Sequence, residues 1–93
     1  MEYIITFKNT NSAIKAEQCL MENKLQVGVA PLPSQIKAGC GICLRVKYYE
    51  IKQALKILED KDIEGIGLFF RRTVNGSFFY TAVKDTEYYT RSE

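Results

Sequence analysis

The chain has 93 residues, 46% of them apolar and 26% charged, which is typical of one small globular domain rather than a disordered or membrane-embedded chain. The 13 basic and 11 acidic residues leave a net charge of +2, spread along the sequence, and this argues against a nucleic-acid partner. The first apolar run ends at Lys8, too early for a membrane span or signal peptide, so we expect a cytoplasmic protein with no membrane contact.

Three cysteines and no histidine restrict the chemistry that the chain can perform. Cytosolic reductants keep thiols free, so the cysteines indicate thiol chemistry rather than a disulfide framework. Histidine is the commonest metal ligand and general base, and a closed tetrahedral site needs four ligands where the chain offers three cysteines. We therefore expect neither a metal nor another cofactor.

The first half of the chain predicts a strand, a helix and a second strand. Residues 3–7 are β-branched or aromatic, as strands prefer, and polar residues 9–11 can cap a helix over residues 12–24. The expected core positions of this helix are Ala13, Ala16 and Leu20, with Cys19 beside them. Residues 26–30 read as a short strand.

The second half begins with a loop and ends with a hairpin. Residues 31–41 contain two prolines and two glycines without any period, whereas residues 42–46 alternate in polarity as a strand does. Residues 49–61 carry apolar side chains at helical spacing. Asn75-Gly76, between predicted strands 65–74 and 77–83, is the strongest short-range signal for a two-residue hairpin turn, and it pairs Thr73 with Phe78.

This order of elements predicts an α+β fold. Two helices can cover only one face of an antiparallel sheet, so the economical arrangement is a ferredoxin-like βαββαβ sandwich with an extra C-terminal strand. We expect one domain over residues 1–84 and a polar tail over residues 85–93. Large apolar side chains on both faces of the hairpin predict a homo-oligomer formed through the helix-free face.

The loop around Cys40 is the candidate functional site. Gly39 and Gly41 remove two side chains that would shield the sulfur and let backbone N–H groups turn towards an anion. Thiol exchange needs a thiolate and an open line of approach, and Lys37 and Arg45 could favour the thiolate if they face it. The same pattern also fits a turn in which Cys40 is simply a small buried side chain.

Cys40 and Cys43 also form a Cys-x-x-Cys pair, with Cys43 as a possible resolving thiol. Redox pairs of the thioredoxin type open a helix, whereas Cys43 falls in a predicted strand, on the face of Arg45 and Lys47. A disulfide needs Cβ atoms about 3.5–4.5 Å apart, which an extended strand start does not provide. A dithiol redox module is nevertheless the first alternative.

Several segments together resemble a small bacterial family of selenium/sulfur carrier-like proteins, formerly a domain of unknown function. The resemblance covers roughly residues 3–70, and its most specific element is the Pro31-Leu32-Pro33 run followed by Gly39-Cys40-Gly41. It implies that Cys40 holds a persulfide or selenopersulfide for delivery to a partner enzyme. Pro31 and Pro33 enter the candidate site through this resemblance.

The leading hypothesis is therefore a carrier, rather than an enzyme, that accepts sulfur or selenium from a donor enzyme and passes it to an acceptor enzyme. A third hypothesis is a binding module for proteins or single-stranded RNA, since sheets with exposed aromatic side chains can stack bases. The even charge and the lack of an aromatic RNA-binding strand motif argue against RNA.

Overall fold

The structure is a computed structural model that describes residues 2–36, 40–63 and 65–83. The described residues form two helices and five strands. In order they are β1 (Glu2–Phe7), α1 (Thr10–Glu22), β2 (Val27–Pro31), β3 (Ile42–Lys47), α2 (Ile51–Asp60), β4 (Gly65–Val74) and β5 (Ser77–Ala82). The expected α+β class is confirmed. The tail predicted over residues 85–93 lies outside the described residues.

All five strands form one antiparallel sheet in the order β2-β3-β1-β4-β5. The hairpin between β4 and β5 is confirmed, because Asn75 and Gly76 both have positive φ and Thr73 pairs with Phe78. β1 lies between β3 and β4, so the end of β1 is beside the start of β3, where Thr6 pairs with Cys43. This adjacency brings the start of α1 close to the candidate loop.

Both helices differ from their predicted limits by one or two residues. α1 starts at Thr10 because Asn9 is its cap, with Oδ1 accepting a hydrogen bond from the Ser12 amide at 2.9 Å. It ends at Glu22, since Asn23 caps it and Lys24 has a φ of 65°. α2 starts at Ile51, after a turn, instead of at residue 49.

The helices pack on one face of the sheet, which we call the helix side, and form the larger core. This core contains the predicted Ala13, Ala16 and Leu20 of α1 together with Leu44 and Val46 of β3. The other face, the helix-free face, has a smaller apolar cluster of Ile4, Ile36 and Cys43, against which Leu32, Phe69, Ala30 and Tyr80 pack. No helix among the described residues is long and apolar enough to cross a membrane.

Candidate functional site

The sulfur of Cys40 lies at the N-terminus of α1. Its Sγ is 3.6 Å from the hydroxyl of Thr10, the first residue of that helix, and accepts a hydrogen bond from the Ile42 amide at 3.5 Å. The positive end of a helix dipole, an N–H and a hydroxyl are surroundings that stabilise a negatively charged sulfur. The structure thus places this sulfur beside two hydrogen-bonding groups and the first turn of a helix, on the helix side of the sheet.

Cys40 is buried, and the expectation of an open line of approach is wrong. Only 3% of the residue is exposed, and it belongs to the helix-side core. Among the described residues, the cover over this sulfur includes elements distant in the sequence, such as α1, whose Thr10 contacts it. Gly41 is itself exposed, and a methyl group added there would meet no atom within 4 Å, so the backbone beside Cys40 borders open space.

Cys43 occupies the helix-free face, as its strand position predicted, on the same side as Arg45 and Lys47. It is 1% exposed, under the loop that follows β2, and its Sγ donates to the Pro31 carbonyl at 3.7 Å. Burial raises the pKa of the Cys43 thiol, although Arg45 and Arg71 partly oppose the shift. Cys40 and Cys43 thus belong to separate apolar clusters, and both are free thiols.

The described part of the loop after β2, residues 32–36, which we call the proline loop, packs on Cys43 through Leu32 and Ile36. Pro31 is the last residue of β2, and a hydrogen bond from the Leu32 amide to the Gly41 carbonyl, at 3.0 Å, closes the base of the loop. Pro33 begins a turn in which its carbonyl accepts from the Ile36 amide at 3.0 Å. The predicted site residues Lys37 and Gly39 lie outside the described residues.

Arg45 contacts Glu2 and not Cys40, so its expected role beside the reactive sulfur is wrong. Its Nη1 is 3.6 Å from Glu2 Oε1, Lys47 Nζ is 3.4 Å from Glu2 Oε2, and Arg71 also binds Glu2 Oε1. We call these four residues the Glu2 cluster. The pairing of β1 with β3 and β4 places them together on the helix-free face, because Glu2 lies opposite Lys47 and Arg71.

The third cysteine, Cys19, is half-buried and lines an open groove instead of lying in the core as expected. The groove runs between α1 and the segment after α2, with lysines and acidic residues around it. Cys19 is therefore the most exposed of the three thiols. Among the described residues, no three side chains of the metal-binding types lie close enough together to hold a metal ion.

Sequence reasoning missed Thr10 as a neighbour of Cys40. The signal was present, because antiparallel pairing of β1 with β3 puts the residues that follow β1 beside those that precede β3. A cap sequence directly after β1 then places the first turn of a helix at the same end of the sheet as the start of β3. The missing step was to use the adjacency of β1 and β3, which the ferredoxin-like arrangement implies, to place the start of α1 beside Cys40.

Comparison with known proteins identifies one family. Searches of the curated proteins and of the solved structures found no match. Residues 2–69, which include both cysteines of the candidate loop, match the family described as "Putative Se/S carrier protein-like". The match spans well over half of the chain and agrees with the resemblance carried by the proline and Gly-Cys-Gly segments, so the chain belongs to this selenium/sulfur carrier-like family.

Proposed function

We propose that this protein carries sulfur or selenium on Cys40, as a persulfide or selenopersulfide, without catalysing a reaction of its own. The observation that supports this role best is the position of Cys40 Sγ at the start of α1, next to the Thr10 hydroxyl and the Ile42 amide. Such donors favour negative charge on sulfur, and thiol transfer proceeds through sulfur anions.

The transfer balances without an added oxidant or reductant. The Cys40 thiolate attacks the terminal sulfur of a donor persulfide, so a new sulfur–sulfur bond forms on Cys40 as the bond in the donor breaks. The donor leaves as a thiolate and takes up a proton. An acceptor thiol then attacks the terminal sulfur on Cys40 and regenerates the Cys40 thiolate. A selenium atom takes the place of the terminal sulfur in the selenium version.

Burial sets a condition on this exchange. A nucleophile must approach the sulfur along an open line, and Cys40 is 3% exposed. The sulfur must therefore be uncovered by a local opening before each transfer, and we propose that the donor and acceptor enzymes favour this opening by binding beside Gly41, where the backbone borders open space. Membership of a carrier family implies such transfer partners in general.

The contacts of Cys43 favour a single-thiol carrier over the dithiol alternative. Its thiol donates to a backbone carbonyl on the opposite face of the sheet, and burial raises its pKa, which keeps it protonated and unreactive. A resolving thiol must instead reach the sulfur of Cys40. We propose that Cys43 is a packing residue that anchors the proline loop.

The experiment is persulfide loading followed by intact-mass analysis. Reduced protein is incubated with glutathione persulfide or with its selenium counterpart, and the added atom is mapped to a peptide. We expect loading on the peptide that contains Cys40 in the wild type, in Cys43→Ala and in the matched control Cys19→Ser. In Cys40→Ser that peptide should stay unloaded, since a hydroxyl cannot form a persulfide. Equal losses in Cys40→Ser and Cys43→Ala, with a reversible disulfide between the two residues, would contradict the carrier role.

We also infer that residues 1–84 form one ferredoxin-like domain with an added edge strand. The support is the strand order β2-β3-β1-β4, which has both helices on one side and β5 appended next to β4. We propose a cytoplasmic location, where reductants keep the three thiols free.

We propose that the β4–β5 hairpin mediates self-association. Val74 and Phe79 point to the helix side of the hairpin and are 42% and 48% exposed, and within residues 2–36, 40–63 and 65–83 β5 is an edge strand with one side unpaired. These exposed apolar side chains and the strand edge suit a second copy better than the helix-free face does, because the helix-free face carries the charged Glu2 cluster. Light scattering at high micromolar concentration should detect a dimer that Phe79→Ala weakens, and a monomeric wild type would contradict the proposal.

A further inference from the structure

The helix-free face of the sheet concentrates positive charge. In the Glu2 cluster three cations surround one carboxylate, which leaves two surplus positive charges, equal to the net charge of the whole chain. The Glu2 side chain is only 11% exposed, whereas those of Lys47, Arg45 and Arg71 are 43%, 40% and 21% exposed. The carboxylate is thus enclosed, and the cations remain available to an external anion.

Arg45 does not use all of its donors within the described part of the protein. Its Nε is buried and has no hydrogen-bond partner among the described residues. Its guanidinium lies against the backbone of Gly28, where an added Cβ would be 2.9 Å from Nη2. A glycine at this position therefore leaves room for the guanidinium to lie flat on the sheet.

An exposed aromatic ring borders the same cluster. The guanidinium of Arg71 lies over the Phe78 ring, 4.5 Å from its centroid, and Phe78 is 49% exposed. Strand pairing puts Phe78 on the helix-free face with Tyr80, which lies opposite Arg71. A flat ring beside several cations is the combination that binds single-stranded nucleic acids, whose bases stack while their phosphates pair with basic side chains.

We propose that the helix-free face binds a single-stranded nucleic acid, with Arg45, Lys47 and Arg71 contacting phosphates and Phe78 stacking on a base. The even charge along the sequence argued against such a partner, but folding gathers three of the cations around one carboxylate. A second copy fits this face poorly, because a symmetric dimer would oppose two surplus charges with two more. The carboxylates of an acidic peptide would pair with these cations, but they would offer no flat ring to stack on Phe78.

This site is separate from the carrier site. Cys40 lies on the helix side of the sheet, whereas the Glu2 cluster and Phe78 lie on the helix-free face. Strand β3 carries Arg45 and Lys47 on that face and contributes Leu44 and Val46 to the core on the other. The proposal does not depend on sulfur loading, and either site can fail without the other.

The test is fluorescence anisotropy with a 5′-labelled, mixed-sequence single-stranded RNA of twelve nucleotides (on the order of one sheet-face footprint) and the full chain at low salt. We expect saturable binding that weakens as salt rises, because phosphate contacts release counterions. Lys47→Ala should lower the affinity severalfold, and its matched control is Lys56→Ala on the exposed side of α2. Phe78→Ala should lower the affinity at least about fivefold, as expected for loss of one stacked base.

Tyr49→Ala is the matched control for the ring, because Tyr49 is 63% exposed but lies in the turn between β3 and α2, outside the five strands. It should leave the affinity within about twofold of the wild type, a change well below that of a lost stack. Circular dichroism verifies that each variant is folded. Absence of binding, equal losses in Phe78→Ala and Tyr49→Ala, tight binding of a duplex of the same length, or equal competition by polyglutamate would each overturn the proposal.

Discussion

The contact between Thr10 and the Cys40 sulfur supports a quantitative prediction for Thr10→Val, which removes the hydroxyl and keeps the shape of the side chain. The hydroxyl lies 3.6 Å from Sγ, within hydrogen-bond range for sulfur, and the Ile42 amide stays in place as the second donor. A hydrogen bond contributes about 0.5–1.5 kcal/mol to a neutral group and about 1.5–3 kcal/mol to a charged one. The difference, about 1 kcal/mol, corresponds to about a fivefold slower reaction through the sulfur anion.

The assay is the initial rate of sulfur loading from glutathione persulfide, followed by intact mass. The helix itself should persist, because Asn9 rather than Thr10 supplies the capping oxygen, and thermal unfolding checks this. Thr81→Val, at an exposed position on β5, is the control for a threonine hydroxyl far from the sulfur. If Thr10→Val and Thr81→Val load at the same rate, the start of α1 does not assist the chemistry of Cys40.

Three further predictions concern stability and thiol access. Gly67→Ala places a Cβ 2.6 Å from the buried Thr6 Oγ1 and should lower the free energy of unfolding, measured by urea titration, by about 1–3 kcal/mol. The control Gly41→Ala meets no atom within 4 Å and should change this free energy by less than about 0.5 kcal/mol. Burial raises the pKa of the Cys43 thiol, so the contribution of Cys43 to stability is complete below the unfolded pKa of about 8.5 and is lost as pH rises through the folded pKa. The free energies of unfolding of the wild type and Cys43→Ala should therefore converge in alkaline buffer. A thiol reagent should modify Cys19 first in the native protein, and equal rates for all three thiols before denaturation would refute the burial described above.

Local patterns predicted the hairpin and the faces of β3 from the sequence. Asn75-Gly76 fixes a two-residue turn because both residues accept positive φ, and the turn then determines every pair along β4 and β5. Alternation along β3 likewise assigned Cys43 and Arg45 to one face, since successive strand side chains point in opposite directions. These features depend on neighbours in the sequence.

The environment of Cys40 could not be predicted in the same way, because it depends on residues about thirty positions away. Thr10 reaches the sulfur only after β1 and β3 pair, and the cover over Cys40 comes from the helix-side core. Arg45 shows the same limit. The alternation along β3 predicted the correct face for Arg45. Its ion-pair partner is Glu2, which the pairing of β1 with β3 brings opposite the end of β3.

The positions of the two proposed sites, around Cys40 and at the Glu2 cluster, both follow from the course of strand β3. β3 begins two residues after Cys40, at the end of the sheet where α1 also begins, so the start of the strand lies near the positive end of the α1 dipole on the helix side. Further along, Arg45 and Lys47 extend from the opposite face towards Glu2. Since successive side chains of a strand point to opposite faces, the proposed carrier thiol, which precedes β3, and the proposed basic binding surface on β3 can coexist in one small domain. A partner bound on the helix-free face would therefore leave the approach to Cys40 beside Gly41 open.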